Sequence, residues 1–383
     1  MRLVLADTSL VVQGRSFEGL PLLVNSDGTA VEPAQTFLWE VLATSGRARS
    51  LLTWAKYGRD LYDYFAFLDA NKLDWRATAP AGMPSSIDWY RDWSRAEAGL
   101  NVTTINARLR LVARFYEWAV KRGHIDAVPF QSTTVRITRP PGFLAHVETS
   151  DGRMQSPCHL LPQPRSIIKF LTIEQARLCL RELSNVTHRL MFELMIRCGL
   201  RQVECRTFPL AYVFDPTRRR DLPPGAMIRV ALDAGDMKLK YDQPRAIDVP
   251  YALMQDLWAY AVRHRQRRER SRDADNRQRA LFLTEAGEAY GDTALTDVFS
   301  GLSRRVGFRV RPHMLRHSYG TYALMRLRKH GFKGEPLLYV RDRMGHSSVA
   351  TTSVYLHLIN QLDAHLVLLH EDELDAMFAA EGG

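Results

Sequence analysis

The chain of 383 residues sets 52 lysines and arginines against 42 aspartates and glutamates, a formal net charge of +10, and 46% of it is hydrophobic. So much apolar surface excludes disorder throughout and suffices for two domains, while the positive balance suits a polyanionic partner, nucleic acid or an anionic surface. No apolar run reaches the roughly 18 residues that span a bilayer, and Asp7 interrupts the apolar start, so the chain reads as cytoplasmic with no membrane partner.

Residues 1–32 are short apolar runs broken by Gly14, Gly19 and Gly28, which predicts a small extended or hairpin extension. Residues 33–130 turn helical. Leu52, Tyr57, Leu61, Tyr64, Phe65 and Leu68 recur at helical spacing, and so do Ile105, Leu109, Val112, Phe115 and Trp118. The polar faces of these helices carry Lys56, Arg59, Arg108, Arg110 and Arg114, individually ordinary solvated charges but together a basic face able to grip phosphates. Aromatic residues Trp54, Tyr57, Tyr62 and Trp75 are interleaved and read as core.

Residues 131–165 contain Pro140-Pro141-Gly142 and little periodicity, the mark of a connection between domains. A second domain, 166–383, opens on the capping box Thr172-Ile-Glu-Gln175 and continues helical, with one exception. Between Met227 and Pro250 the alternation of Ile228, Val230 and Leu232, of Lys238, Leu239 and Lys240, and of Ile247 and Val249 predicts a three-stranded antiparallel sheet turning at Tyr241-Asp-Gln-Pro244. The arginine-dense stretch from Arg263 to Arg279 reads as a solvated helix end and loop. Cys158, Cys179, Cys198 and Cys205 include no C-x-x-C pair and are expected as reduced thiols.

Three segments of the second domain carry chemistry: Cys198-Gly-Leu-Arg201-Gln-Val-Glu204, His313-Met-Leu-Arg316-His317, and Gly345-His346-Ser-Ser-Val-Ala-Thr-Thr-Ser-Val-Tyr355. Alone, each arginine would more often be a surface ion-pair partner and the tyrosine a core aromatic. Together and in this order the segments resemble the signature of the tyrosine recombinase, or phage integrase, family, and the preceding helical region is similar to that family's core-binding domain. The resemblance implies a mainly α fold: a helical, SAM-like core-binding domain, then an α-helical catalytic domain with a small three-stranded antiparallel sheet. It also implies a lysine on a strand turn of that sheet. Lys240 lies five residues before Arg245, the family's spacing, and is preferred to Lys238.

Chemistry supports these assignments. Attack on a phosphodiester builds negative charge on nonbridging oxygens, which the fork-shaped cations of Arg201 and Arg316 suit. Tyr355, with an ordinary phenol pKa near 10, needs a proton acceptor, for which His313 is the better candidate, while His346 would hydrogen-bond the phosphate. Lys240 would protonate the leaving 5′ oxygen. Glu204 and His317 are expected in support, Glu204 as a buried partner orienting its neighbours. His313 and His317 have the i, i+4 spacing of a zinc-binding face, but the glutamate after the first histidine is missing and Arg316 would set a cation beside the metal. No metal or other cofactor is expected.

The resemblance further implies double-stranded DNA with specific recombination sites as partner, a 3′-phosphotyrosine link, exchange through a four-way Holliday junction and a homotetramer on paired sites. Accessory recombinases or DNA-bending proteins fit the same picture. Leu362, His365, Leu366, Leu369, Leu374 and Met377 are mostly at helical spacing and suit a C-terminal helix exchanged between protomers. The alternatives are a type IB topoisomerase, a telomere resolvase, and a catalytically silent DNA-binding protein of the same fold.

Overall fold

A computed structural model of the chain describes residues 1–44, 50–80, 83–136, 153–157, 159–162, 169–269, 279–346, 349, 351–353, 355–356 and 359. The chain divides into two compact units, Met1–Arg165 and Ser166–Gly383. Described elements are mainly helical, with small antiparallel sheets.

In the first unit, β1 (Arg2–Leu5) pairs antiparallel with β4 (Pro21–Val24), and β2 (Val11–Val12) with β3 (Arg15–Ser16) in the hairpin between them. These strands are joined to the helical core: Phe17, Leu20, Leu23 and Val31 are buried with residues of α1 (Ala34–Leu38), α2 (Leu51–Ala70), α3 (Ser86–Ala96) and α4 (Val102–Lys121). Helical periodicity has its physical cause here, because Leu61, Tyr64, Phe65 and Leu68 of α2 meet Ile105, Leu109, Val112 and Phe115 of α4 in one core. Leu52 departs from that pattern, lying 75% exposed in the first turn of α2. Buried hydroxyls are satisfied internally: Tyr64 and Tyr116 share a 2.7 Å hydrogen bond, and Tyr116 donates to the Trp75 carbonyl at 2.9 Å.

The connection is less irregular than its prolines imply. β5 (Ser132–Arg136) and β6 (Arg153–Pro157) pair antiparallel, and beyond them Leu161 exchanges two hydrogen bonds with the Asn106 side chain, tying the segment back to α4. Pro140-Pro141-Gly142 lies outside the described residues.

The second unit is built on α5 (Ile173–Glu182), capped by Thr172 and Gln175 in a capping box, α6 (Val186–Cys198) and the short α7 (Gln202–Arg206). After the sheet strands β7 (Met227–Leu232) and β8 (Arg245–Pro250) come α8 (Tyr251–Tyr260), a π-helical turn, α9 (Gln266–Arg268), α10 (Ala294–Val306), α11 (Pro312–Lys329) and α12 (Pro336–Met344). α6 packs against both α11 and β8, and its Leu190, Phe192, Leu194 and Met195 fill the centre of the core. Cys179, Cys198 and Cys205 are free thiols, all buried.

Two expectations are corrected. Among the described residues the sheet is two-stranded, β7 pairing β8, and Lys238 and Lys240 lie in the loop between them. Their alternation with Leu239 reflects a chain that buries Met237 and Leu239 while its backbone turns away from pairing, with Tyr241 and Asp242 at positive φ. The arginine-dense stretch is partly structural: Arg265 is buried against Glu269 and the Ala280 carbonyl, and Arg268 donates to Thr187 and the Leu283 carbonyl. Residues 270–278 lie outside the described ones.

Gly58 shows what docks the N-terminal strands. A Cβ there would sit 2.3 Å from the Pro21 Cβ, so helix and strand approach at a distance only glycine permits. Alanine would gain about 1 kcal/mol of helix propensity, but overpacking costs about 1–3 kcal/mol. At so short a contact the second effect wins. Gly58→Ala should therefore lower the denaturant midpoint of the first unit's transition, and a raised midpoint would disprove the close approach.

Candidate active site

The site forms where α6, α7, β8, α11 and the end of α12 converge. α6 ends at Gly199, whose left-handed conformation (φ 70°) turns the chain so that Arg201 stands at the head of α7. Its backbone N–H donates to Glu204 Oε2 at 2.7 Å, so the carboxylate caps the helix that carries it. Glu204 is fully buried and accepts four hydrogen bonds: from the backbone and Nη1 of Arg201, the latter at 2.8 Å, and from Arg245 Nη1 and Nη2 at 2.8 and 2.6 Å. Burial alone would raise its pKa; the hydrogen bonds and positive charge of Arg245, then Arg201, outweigh that and hold it at about 2.

Three arginines converge on the last turn of α12. Arg245 Nε donates to the Arg343 carbonyl at 3.0 Å, Arg316 Nη2 to the Met344 carbonyl, and Arg201 Nη2 to the Gly345 carbonyl at 2.9 Å. A helix C-terminus leaves such carbonyls unpaired and carries partial negative charge, so cations are the fitting partners. Arg316 also donates to the Gly199 carbonyl at 2.5 Å, joining the ends of α6 and α12. Burial, then the like charge of Arg201, pushes Arg316 down to about 9, still cationic at neutral pH. Arg201 and Arg316 each spend two of a guanidinium's five N–H groups on these bonds, leaving the others for an oxyanion.

Tyr355 is helical and 1% exposed. Its hydroxyl lies 3.0 Å from His317 Nδ1, and its ring sits on Gly320, where a Cβ would come within 2.7 Å of it. Burial pushes the phenol up to about 12 against the downward pull of Arg316 and Arg201. The structure sets His317, rather than the expected acceptor His313, within hydrogen-bond distance of the phenol. His317 contacts the phenol, whereas His313, in the first turn of α11, meets His317 edge-on at 4.2 Å between ring centres. The i, i+4 spacing brings the two rings together edge to face and leaves the second in contact with the Tyr355 hydroxyl. His346 pairs its Nδ1 with Thr352 Oγ1 at 2.9 Å and stacks on Tyr355 at 6.3 Å. Burial, followed by nearby positive charge, lowers all three histidines, His317 to about 4 and His346 to about 3.

Beside this cluster opens a cleft of about 310 Å³ lined by Arg201, Lys240, Arg245, Arg341, Arg343 and His346 among others. Lys240 borders it, its ammonium 4.9 Å from the Tyr241 ring centre; Lys238, exposed, is absent from that lining and its backbone N–H donates to Thr207. Such a dense cationic rim suits a phosphate. In the sequence Arg245 serves only as a spacing mark and Thr352 goes unnoticed; the signal for Arg245 is a charged residue opening a strand whose Ile247 and Val249 are apolar and buried. Among the described residues no group of three or more histidines, cysteines or carboxylates could hold a metal ion.

In the first unit Arg108 is not a surface grip. It pairs with Asp63, lies 3.8 Å from Asp60, and keeps 18% of its side chain exposed, because its turn of α4 faces α2. Lys56 pairs with Asp60, Arg59 Nε donates to the Ala55 carbonyl, and Arg114 reaches Tyr57 at 3.3 Å; Arg59, Arg110 and Arg114 are exposed. The expected C-terminal helix beyond Leu362 lies outside the described residues, as do Ser347, Ser348, Ala350 and Val354.

The depressed histidines predict an acid sensitivity. Each is neutral in the folded state and ordinary, near 6.5, when unfolded, so its contribution is complete above about 6.5 and is lost as pH falls toward its folded value. Glu204, lowered from 4.5, adds its own loss below that value. The melting temperature of the full chain should drop by at least about 3 °C between pH 7.5 and 5, and less in a His317→Gln, His346→Gln double variant. A melt unchanged or raised by acid would contradict the buried, neutral rings.

Residues 169–361 match the phage integrase family and residues 39–123 the phage integrase N-terminal SAM-like domain. Tyrosine recombinase XerC of Xanthomonas axonopodis pv. citri is 27% identical over 321 residues, covering 82% of this chain and 88% of that protein. Transposase A from transposon Tn554 of Staphylococcus aureus is 22% identical over 356 residues, covering 89% and 91%. Two solved structures share the fold, each at 17% identity and TM-score 0.54: the XerH site-specific recombinase bound to palindromic difH substrate (88% of this chain, 85% of that one) and the Tn1549 transposon integrase with transposon right end DNA (82% and 92%).

Proposed function

This chain belongs to the phage integrase family of tyrosine recombinases, and from that premise we propose that it cuts and rejoins double-stranded DNA at specific sites with Tyr355 as nucleophile. The observation carrying the reading is that Arg201 and Arg316 meet at the end of α12, with His346 and the His317-bound phenol of Tyr355 close by and a cleft lined by Arg201, Lys240 and His346 beside them. In the proposed reaction the Tyr355 oxygen attacks the scissile phosphorus as its proton passes to His317, and Arg201 and Arg316 hold the charge on the nonbridging oxygens. His346, with Nδ1 engaged by Thr352, offers Nε2 to the phosphate.

The bond from phosphorus to the 5′ oxygen breaks, and the departing oxygen takes its proton from Lys240. A 3′-phosphotyrosine and a free 5′-hydroxyl result. The ester conserves the energy of the broken bond, so attack by a 5′-hydroxyl from a partner strand restores the backbone and leads through a Holliday junction. Paired sites require a homotetramer on DNA, and the DNA-bound XerH and Tn1549 structures support DNA as the partner. The exposed Arg59, Arg110 and Arg114 of the first unit are proposed to contact phosphates. A type IB topoisomerase would relax supercoils without paired sites, and the exchange of two marked duplexes separates the two activities.

Tyr355→Phe keeps the ring on Gly320 and removes the attacking oxygen. On a nicked suicide duplex it should form no protein–DNA adduct in denaturing electrophoresis while binding DNA as the native chain does; an adduct at the native level would exclude Tyr355.

Lys240 and Lys238 are separated by the leaving group. A 5′-bridging sulfur departs as a thiolate without needing a proton, so Lys240→Ala should lose about 10²-fold in cleavage of the normal ester and recover on the sulfur substrate. Lys238→Ala should cut both at native rates, and the reverse pattern would move the acid to Lys238.

A further inference from the structure

We propose that Arg245 is a positioning residue for strand cleavage, saturating Glu204 so that the charge of Arg201 stays available to the scissile phosphate and fixing the turn that carries His346. The proposal rests on the reading of Arg201 as a phosphate ligand given above. Arg245 is the most heavily committed of the three arginines, with three side-chain bonds to two each for Arg201 and Arg316. Its side chain is 6% exposed, two guanidinium nitrogens are committed to Glu204, and the third is committed to the Arg343 carbonyl.

The charge count explains why a second arginine is needed. Glu204 is a single buried carboxylate, and Arg201 alone beside it would be a closed ion pair, its cation neutralised before any DNA arrived. With Arg245 bidentate on the same carboxylate, two cations share one anion and the trio keeps a net positive charge next to the cleft. The geometry matches: each Glu204 oxygen takes one bond from Arg201 and one from Arg245.

Arg245 also reaches the end of α12. Its stem passes directly under Gly345, where a Cβ would lie 2.8 Å from Arg245 Cδ and where φ is +61°. Glycine is therefore required there twice, for its conformation and for its lack of a side chain. The next residue is His346, so the carbonyl bond from Arg245 to Arg343 sets the departure of the chain toward a phosphate-binding side chain.

The test compares single-turnover cleavage by the full chain on suicide duplexes carrying either the natural phosphate or a methylphosphonate at the scissile position. The methyl group removes the nonbridging charge that Arg201 would neutralise. Arg245→Gln should cleave the phosphate about 10²-fold more slowly at saturating DNA, with affinity little changed, and approach the native rate on the methylphosphonate. Arg201→Ala should show the same recovery. Adding Glu204→Gln to Arg245→Gln should restore at least about tenfold of the lost rate, because the unsaturated carboxylate is gone. Arg245→Lys keeps a cation without the fork, so it guards against simple unfolding; it should melt near the native temperature yet still cleave slowly on phosphate.

A defect equally large on both substrates, or native cleavage of phosphate by the Arg245 variants, would overturn the proposal. An inactive native chain would instead sink the recombinase reading, so the two failures are distinguishable.

Discussion

Three guanidinium groups hold three consecutive carbonyls at the end of α12, and the site depends on that arrangement. Arg245, Arg316 and Arg201 take the carbonyls of Arg343, Met344 and Gly345 in turn, from a strand, a helix and a helix cap widely separated in sequence. Cations crowded so closely would repel one another without the buried carboxylate of Glu204 and the negative end of the helix between them. What looks like a phosphate-binding cluster is thus also the joint that locks α6, α7, β8, α11 and α12 together. Stability and chemistry rest on the same bonds.

A second charged joint lies on the outer side of that turn. Asp248 of β8, nearly buried, receives Arg343 and the Tyr339 hydroxyl, both from α12, and lies 3.5 Å from Arg229 of β7. The two-stranded sheet is short, but it anchors α12 through Asp248 and offers Arg245 to the site from the opposite end of the same strand. That explains how so small a sheet positions a helix terminus: the alternation of β8 buries Ile247 and Val249 while its polar residues engage α12.

Much of this is legible in the sequence because it is written in local patterns. Helical spacing locates α2 and α4, the Thr172 capping box locates α5, and three short motifs point to Arg201, Arg316, His346 and Tyr355. What escapes depends on contacts remote in sequence. No periodicity reveals that Arg245 meets Glu204 across 41 positions, or that Arg108 turns inward to Asp63 while Arg110 stays in solvent. Lys238-Leu239-Lys240 alternates as a strand would, yet without a neighbouring edge to pair with, alternation yields only a loop that buries one leucine. Motif position ranks His313 above His317, while it is the ring of His317 that lies within hydrogen-bond distance of the Tyr355 hydroxyl.

The seating of Tyr355 has a consequence for fidelity. Its hydroxyl is held by His317, its ring lies on Gly320, and almost none of it meets solvent. As the proposed nucleophile, it would have to be uncovered before it could react. On the proposed reaction, a duplex that is to be cut must supply, from its own binding, the free energy of uncovering the ring and bringing phosphorus into line with the phenol while His317 keeps its contact to take the proton. A poorly matched duplex can occupy the cationic cleft and spend its interaction energy on adhesion alone. On that proposal, cutting would discriminate among sequences more sharply than binding does, with the buried tyrosine as the threshold between the two.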